Sequence, residues 1–296
     1  MPRKVWIEAA INGPWGKRLQ PGLPVTVEEC IAEAVAAARA GAAIVHLHAY
    51  DAAIGRQNDD WQTYARIFGG IRREADVVLY PTIPLAGSAL SGAVASPEQR
   101  FKHVELLAER GLIDWAVVDP GSVNFMRLDQ PRPDPGFVYL NPEPDILRGL
   151  EVAARLRLRP SYAIYEPGFT RLGAALAKRF AGLATPVYRL MFSDSFAWGF
   201  PPRPWALDAH LALLAEVAPG APWMVAGLGV DVRPLFARAV ELGGHVRVGL
   251  EDAPFGCGRS NADLVEEAVR LVTAAGGTPA TAADVRSFGQ DGSSPP

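Results

Sequence analysis

Residues 40–51 read AGAAIVHLHAYD, and this run decides how the rest of the chain is read. Ala42–Ala49 is short, apolar and β-branched and follows directly on Gly41, which predicts a buried strand entered from the end of a helix. Side chains alternate across a strand, so His46 and His48 share one face while Val45 and Leu47 point the other way, toward covering helices. Working outward, the same pattern recurs at Lys4–Ile11, Val77–Thr82, Trp115–Asp119, Pro160–Tyr165, Pro186–Phe192, Trp223–Ala226 and His245–Leu250. Amphipathic, alanine- and leucine-rich helices are predicted to begin near Thr26, Trp61, Ser96, Glu143, Gly168, Trp205, Val232 and Asn261, several opened by a capping residue or proline. Eight strands alternating with eight helices over about 250 residues is the arithmetic of a closed (β/α)₈ TIM barrel, an α/β fold. A doubly wound open sheet is the alternative.

No break in composition marks a second domain, so residues 1–286 are expected to form a single barrel, followed by a polar Gly/Ser/Pro-rich tail over 287–296. Two segments stand outside the rhythm: Asp129–Pro144, with five prolines, and Phe192–Pro204, rich in aromatics, Pro and Gly. Both follow strand ends, where loops form the catalytic face of a barrel, so they are expected to wall a substrate site. The chain is 49% hydrophobic with a net charge of −3 and no basic stripe, which argues for small-molecule chemistry and against nucleic acid or a membrane surface. Cys30 and Cys257 are far apart and outside any C-x-x-C pair, so neither a disulfide framework nor a cysteine-rich zinc site is expected. With no signal pattern and no apolar run of membrane-spanning length, the expected compartment is the cytoplasm.

The charged residues at strand ends carry the chemistry. In HVRVGLED, residues 245–252, alternation places His245, Arg247, Gly249 and Glu251 on the interior side. Closure of the barrel would bring Glu251, beyond strand 8, near His46 and His48 on strand 2. Two imidazoles and a carboxylate suit Zn²⁺ or a related divalent ion such as Mn²⁺, Co²⁺ or Fe²⁺, and three protein ligands leave a position open for water or substrate. An inward arginine is expensive unless paired, and Asp252 is the natural partner of Arg247. An Arg–Asp pair beside a metal can hold and tune a general base. His103 and His210 on helices and His245 at the start of strand 8 read as structural.

Taken together, Pro24-Val25-Thr26, AGAAIVHLH, YEPG at 165–168, VAGLG at 225–229, GGHVRVGLED at 243–252 and SNADLV at 260–265 resemble the β-keto acid cleavage enzymes, whose best-known activity is 3-keto-5-aminohexanoate cleavage. The similarity runs over roughly Val5–Ala274. It implies a barrel, a homotetramer as the usual assembly, Zn²⁺ held by His46, His48 and Glu251, and acetyl-CoA as co-substrate. The implied reaction is a condensation and retro-Claisen cleavage giving acetoacetate and a new acyl-CoA, with Asp252 as base, Arg247 orienting it and Thr82 beside the developing oxyanion. Thr82 stands where the family carries serine. A threonine there is also simply a good strand former.

The chain departs from the family on the substrate side. Trp15 stands where the aminohexanoate enzyme has the carboxylate that receives an ammonium. Ala49-Tyr50-Asp51 replaces x-R-D, Val117 and Asp119 replace a threonine and an asparagine, and Ser161 and Ala163 replace glutamates ahead of Tyr165-Glu166. Trp15, Tyr50, Val117, Asp119 and Glu166 are the expected substrate-side residues, with Trp198 beside them. A less charged pocket points to a neutral, hydrophobic β-keto acid. Gly256, Gly258 and the helix start at Ser260-Asn261 form a weak candidate cradle for a CoA phosphate. Two other readings stay open: a metal-dependent lyase or hydrolase of β-dicarbonyl compounds needing no CoA, and a paralogue that binds metal and an acyl ligand without turnover.

Overall fold

The structure is a computed structural model that describes residues 3–84, 95–128 and 136–289. Eight parallel strands carry the site: β1 (Ile7–Ala10), β2 (Ile44–Leu47), β3 (Val78–Pro81), β4 (Trp115–Val117), β5 (Arg159–Ile164), β6 (Val187–Phe192), β7 (Trp223–Gly227) and β8 (His245–Val248). Pairing runs β3-β2-β1-β8-β7-β6-β5-β4. The remaining seam is closed by Asp114, whose N–H donates to Leu79 O at 2.8 Å and whose carboxylate accepts from Leu79 N at 2.9 Å. The fold is thus the predicted (β/α)₈ barrel.

The helices lie where the capping signals placed them: α1 (Val27–Ala40), α2 (Trp61–Glu74), α3 (Pro97–Ala108), α4 (Glu143–Leu156), α5 (Pro167–Ala177), α6 (Pro204–Val217), α7 (Phe236–Glu241) and α8 (Asn261–Ala274). Reciprocal capping boxes close α1 through Thr26 and Glu29, α3 through Ser96 and Gln99, and α8 through Ser260 and Asp263. Ahead of α7, the expected start at Val232 becomes a 3₁₀ turn over Arg233–Leu235. Among the described residues, no helix is long and apolar enough to cross a membrane.

Three departures from the expected elements have local causes. Lys4–Ile11 is not one strand, because Trp6 N donates to His245 Nδ1 rather than to a neighbouring strand carbonyl, and Lys4–Val5 pairs instead with Thr278–Pro279. The proline-rich stretch contains a strand: Phe137–Tyr139 folds back antiparallel on Val123–Phe125, while residues 129–135 of that expected wall lie outside the described set. Of the expected tail, the helix Ala282–Ser287 runs into its first residue and Phe288 packs edge-on against Trp6, whereas 290–296 lie outside the described residues.

The interior is layered. At the floor, Trp6 stacks on His245 with ring centroids 4.1 Å apart and meets Trp115 at 5.9 Å. Above it lies an ionic layer of Glu8, Tyr80, Arg189 and Arg247, all buried. The histidines and the Glu251-Asp252 pair sit at the mouth, where strand C-termini face the catalytic end of a barrel.

Candidate metal and proton-transfer site

The site is assembled by the end of β8. Gly249 has φ +138°, and a Cβ there would lie 2.0 Å from Ala10 O, so only glycine lets the chain bend over β1 and deliver Glu251 and Asp252 to the mouth. Glu251 N then donates to Ala10 O at 3.2 Å. The loop after β1 lies on the same side chain, since a Cβ on Gly13 would meet Glu251 Cγ at 2.4 Å. Asn12 ties this loop to β2, donating to His48 O at 2.9 Å and accepting from His48 N at 2.8 Å.

His46, His48 and Glu251 converge as predicted, with one ligand atom from each lying within 4.8 Å of the others. His46 Nε2 is 3.5 Å from Glu251 Oε2, and His48 Nε2 is 3.6 Å from Glu251 Oε1. His48 Nδ1 lies 2.9 Å from Gln57 Oε1, an acceptor that fixes the proton on Nδ1 and turns the Nε2 lone pair toward the cluster. Gln57 is in turn oriented by its amide donating to Asp59 at 2.9 Å. His48 Nε2 and Glu251 Oε2 are buried without hydrogen-bond partners. Buried lone pairs facing one another without a donor are costly, and a divalent cation satisfies them together, so the residues present fit a metal. Burial holds His46 well below its ordinary pKa, leaving the neutral imidazole that a metal requires.

Arg247 is fully buried and uses its whole guanidinium: Nε and Nη2 grip the Asp252 carboxylate at 2.9 and 2.8 Å, Nη2 also reaches Glu251 at 3.0 Å, and Nη1 reaches Glu8 at 3.0 Å. Glu8 also accepts from Tyr80 at 2.5 Å. Burial would raise Glu251, but the Arg247 guanidinium beside it holds its carboxyl well below the usual carboxylate range. Burial pushes Asp252 up to about 6 against the pull of Arg247. The upper interior holds Glu8, Asp119, Glu251 and Asp252 against Arg189 and Arg247, so full ionisation leaves two negative charges, the number a divalent cation balances.

The other expected site residues lie around this centre with different tasks. Thr82 follows β3, and among the described residues its hydroxyl has a single long contact, 3.4 Å to Ile83 O, leaving it able to donate elsewhere. Trp15 donates from its indole to Glu251 O at 2.7 Å and packs against Phe196 and Phe255, beginning an aromatic wall that continues through Trp198, Phe125 and Tyr165. Tyr50 is buried, with its hydroxyl donating to Gly13 O at 2.5 Å and accepting from Gly16 N, so it braces the Trp15 loop. Val117 is buried at the end of β4. Asp119 accepts from Ala163 N at 2.7 Å and Tyr139 at 2.8 Å. Glu166 is half-buried, accepts from Gly199 N at 3.2 Å, and lines a cavity of ≈ 590 Å³ with Phe125, Phe137 and Trp198. That cavity flanks the wall and does not include the histidines.

The structure argues against the phosphate cradle. Ser260 N and Asp263 N are occupied by the capping box, and Asn261 N faces Glu33. Three site residues escaped the sequence reading: Glu8, Arg189 and Gln57. Glu8 and Arg189 could have been found, because a charge at the inward parity of an otherwise apolar strand is the signal that marked Arg247. Gln57 lies in the two-residue strand Arg56–Gln57, where no periodicity points to it.

Residues 4–289 match the family model of the beta-keto acid cleavage enzymes. The chain is 30% identical to a 3-keto-5-aminohexanoate cleavage enzyme of Fusobacterium nucleatum, with 97% of each covered. It is also 30% identical to a 3-oxoadipate:acetyl-CoA acetyltransferase of Cupriavidus necator, with 95% of this chain and 93% of the relative covered. A 3-dehydrocarnitine:acetyl-CoA trimethylamine transferase of Rhizobium meliloti is again 30% identical, with 93% of each covered. Among solved structures, the apo form of ObcA superposes with a TM-score of 0.71 at 20% identity, covering 90% of this chain, which spans 65% of that longer one. The chain belongs to the beta-keto acid cleavage enzyme family.

Proposed function

We propose that this family member is a Zn²⁺-dependent acyltransferase that converts a neutral, hydrophobic β-keto acid and acetyl-CoA into acetoacetate and the corresponding acyl-CoA. The observation that carries the reading is the convergence of two unpartnered histidine and glutamate lone pairs beside a carboxylate, Asp252, gripped by a fully buried arginine. His46, His48 and Glu251 would hold the cation, which supplies Lewis-acid polarisation of the substrate carbonyl. Asp252 removes the proton from the carbon between carboxylate and ketone, and its raised pKa suits both taking and returning that proton. The enolate carbon attacks the thioester carbonyl of acetyl-CoA and expels the CoA thiolate. The thiolate adds to the substrate ketone, the bond between ketone and α-carbon breaks, and acetoacetate leaves after recovering the proton from Asp252. Arg247 keeps Asp252 aimed, while Thr82 is the hydroxyl available to a developing oxyanion.

Side-chain specificity follows from the wall. The three relatives share the same identity with this chain, yet their names place an ammonium, a carboxylate and a trimethylammonium on their substrates, so overall similarity does not choose among side chains. Trp15, Phe196 and Trp198 offer aromatic surface, and the neighbouring Glu166 carboxylate already accepts from Gly199 N at 3.2 Å, which favours an uncharged aliphatic or aromatic group. A kcat/KM panel of neutral, cationic and dianionic β-keto acids with acetyl-CoA tests this. Neutral acids are expected to lead by at least about tenfold, on the scale of a few buried methylenes. A clear preference for a charged side chain would overturn the assignment. Turnover without acetyl-CoA would replace the reaction by a lyase or hydrolase, and ligand binding without product would indicate a non-catalytic binder.

A further inference from the structure

Among the buried arginines, Arg189 is the exception. Arg100 is fully buried and donates to Pro84 O, Leu140 O, Asp145 and Asn141 at 2.7–3.1 Å, and Arg247 is held as described above. Arg189, on β6, makes only 3.5 Å contacts to Asp119 and Ser161 O, and its Nε is buried with no partner. One strand away, Ser161 Oγ is also buried and unpartnered. A guanidinium left this poorly satisfied inside a barrel is costly.

Its position gives the reason. Arg189 lies over Tyr80, with Cζ 5.9 Å from the ring centroid, and His46 also packs against Tyr80, with centroids 4.5 Å apart. The cation and one of the candidate metal ligands therefore contact the same aromatic ring. Ala163, the residue in register with Arg189 on β5, carries only a methyl group. On β4, Val117 has no donor, and Asp119 already accepts from Ala163 N and Tyr139.

The geometry points to Arg189 and Ser161 as the receptor for the carboxylate of the substrate acid. This rests on the β-keto acid reading above and adds the orientation of the substrate: carboxylate toward Arg189 and Ser161, ketone toward His46, His48 and Glu251, side chain toward the Trp15–Trp198 wall. A charge-assisted bond from guanidinium to carboxylate selects acids over esters and ketones of the same shape.

Calorimetric titration of the Zn²⁺-loaded protein with 3-hydroxyhexanoate and with its methyl ester, in the absence of acetyl-CoA, tests the assignment. The wild-type protein is expected to bind the acid at least about tenfold tighter than the ester, the scale of a hydrogen bond to a charged group. Arg189→Met should remove that preference by weakening the acid and leave the ester unchanged. Arg189→Lys and Ser161→Ala, which keep a charge or alter only one hydroxyl, should each narrow the preference and so carry the test even where Arg189→Met fails to fold. An acid-over-ester preference that is unchanged in Arg189→Lys and Ser161→Ala, or absent from the wild type, would overturn the assignment. Because no turnover is measured, a failure to form acetoacetate would strike the proposed reaction and leave this result standing.

Discussion

At the floor of the barrel His245 lies fully inside the protein, as His46 does at the mouth, and burial lowers the pKa of both, that of His245 to about 3. At the floor the ring is satisfied: Nδ1 accepts from Trp6 N at 3.1 Å, and the imidazole stacks on the indole with planes 8° apart. At the mouth the rings meet edge-on at 5.2 Å, and His46 Nδ1, His48 Nε2 and Glu251 Oε2 are buried without hydrogen-bond partners. Burial and a shifted pKa are thus common to a packing residue and a functional one. What separates these two is that unpartnered polar atoms from three side chains gather at the mouth, whereas His245 meets Trp6 N.

The sharpest way to break this comparison is substitution at the mouth. Asp252→Asn is expected to lower kcat by about a thousandfold, within the range for a lost general base, while the melting temperature and bound metal stay close to wild type. A comparable collapse of stability would place Asp252 with the floor residues. At the floor the balance should reverse. Trp6→Ala removes the stacking partner of His245 and opens a cavity, so a loss of about 3–5 kcal/mol in denaturant unfolding is expected, with metal stoichiometry unchanged in the fraction that folds.

How far these two ends were legible follows from particular residues. The strands and helices could be read because β-branched runs and capping residues are local signals, and the parity of HVRVGLED and IVHLH placed Arg247, Glu251, His46 and His48 inside before any geometry was known. Glu8 and Arg189 obey the same parity, but each is a lone charge in its strand, and only the closed barrel shows that Glu8 meets Arg247 at 3.0 Å. The floor was not legible in this way. Trp6 and Phe288 lie 282 positions apart in the numbering and are brought together by a C-terminal segment that Arg286 anchors to Asp76 and Asp114. A contact at that separation leaves no periodic trace.

Smaller effects sharpen the comparison further. Gln57→Leu removes the group that sets the His48 tautomer, so metal affinity measured by chelator competition should fall about ten- to a hundredfold, without change in the unfolding midpoint of the metal-free protein. The smallest effect is on acid stability. His245 takes up a proton near 6.5 in the unfolded chain but only near 3 in the fold, so between these values the unfolded state holds more protons. Its contribution to stability is complete above about 6.5 and declines as the pH falls toward 3. His210, pushed down to about 4 by burial, acts in the same direction. His245→Asn should flatten the acid limb of stability against pH, and an unchanged slope would show that His245 is not buried neutral.

The most direct test of the account measures acetoacetate formed from a neutral β-keto acid by Zn²⁺-loaded protein, with and without acetyl-CoA, beside the Asp252→Asn variant at equal metal content. The account predicts product only when acetyl-CoA and Asp252 are both present. Equal rates in the variant, or product without acetyl-CoA, would contradict it.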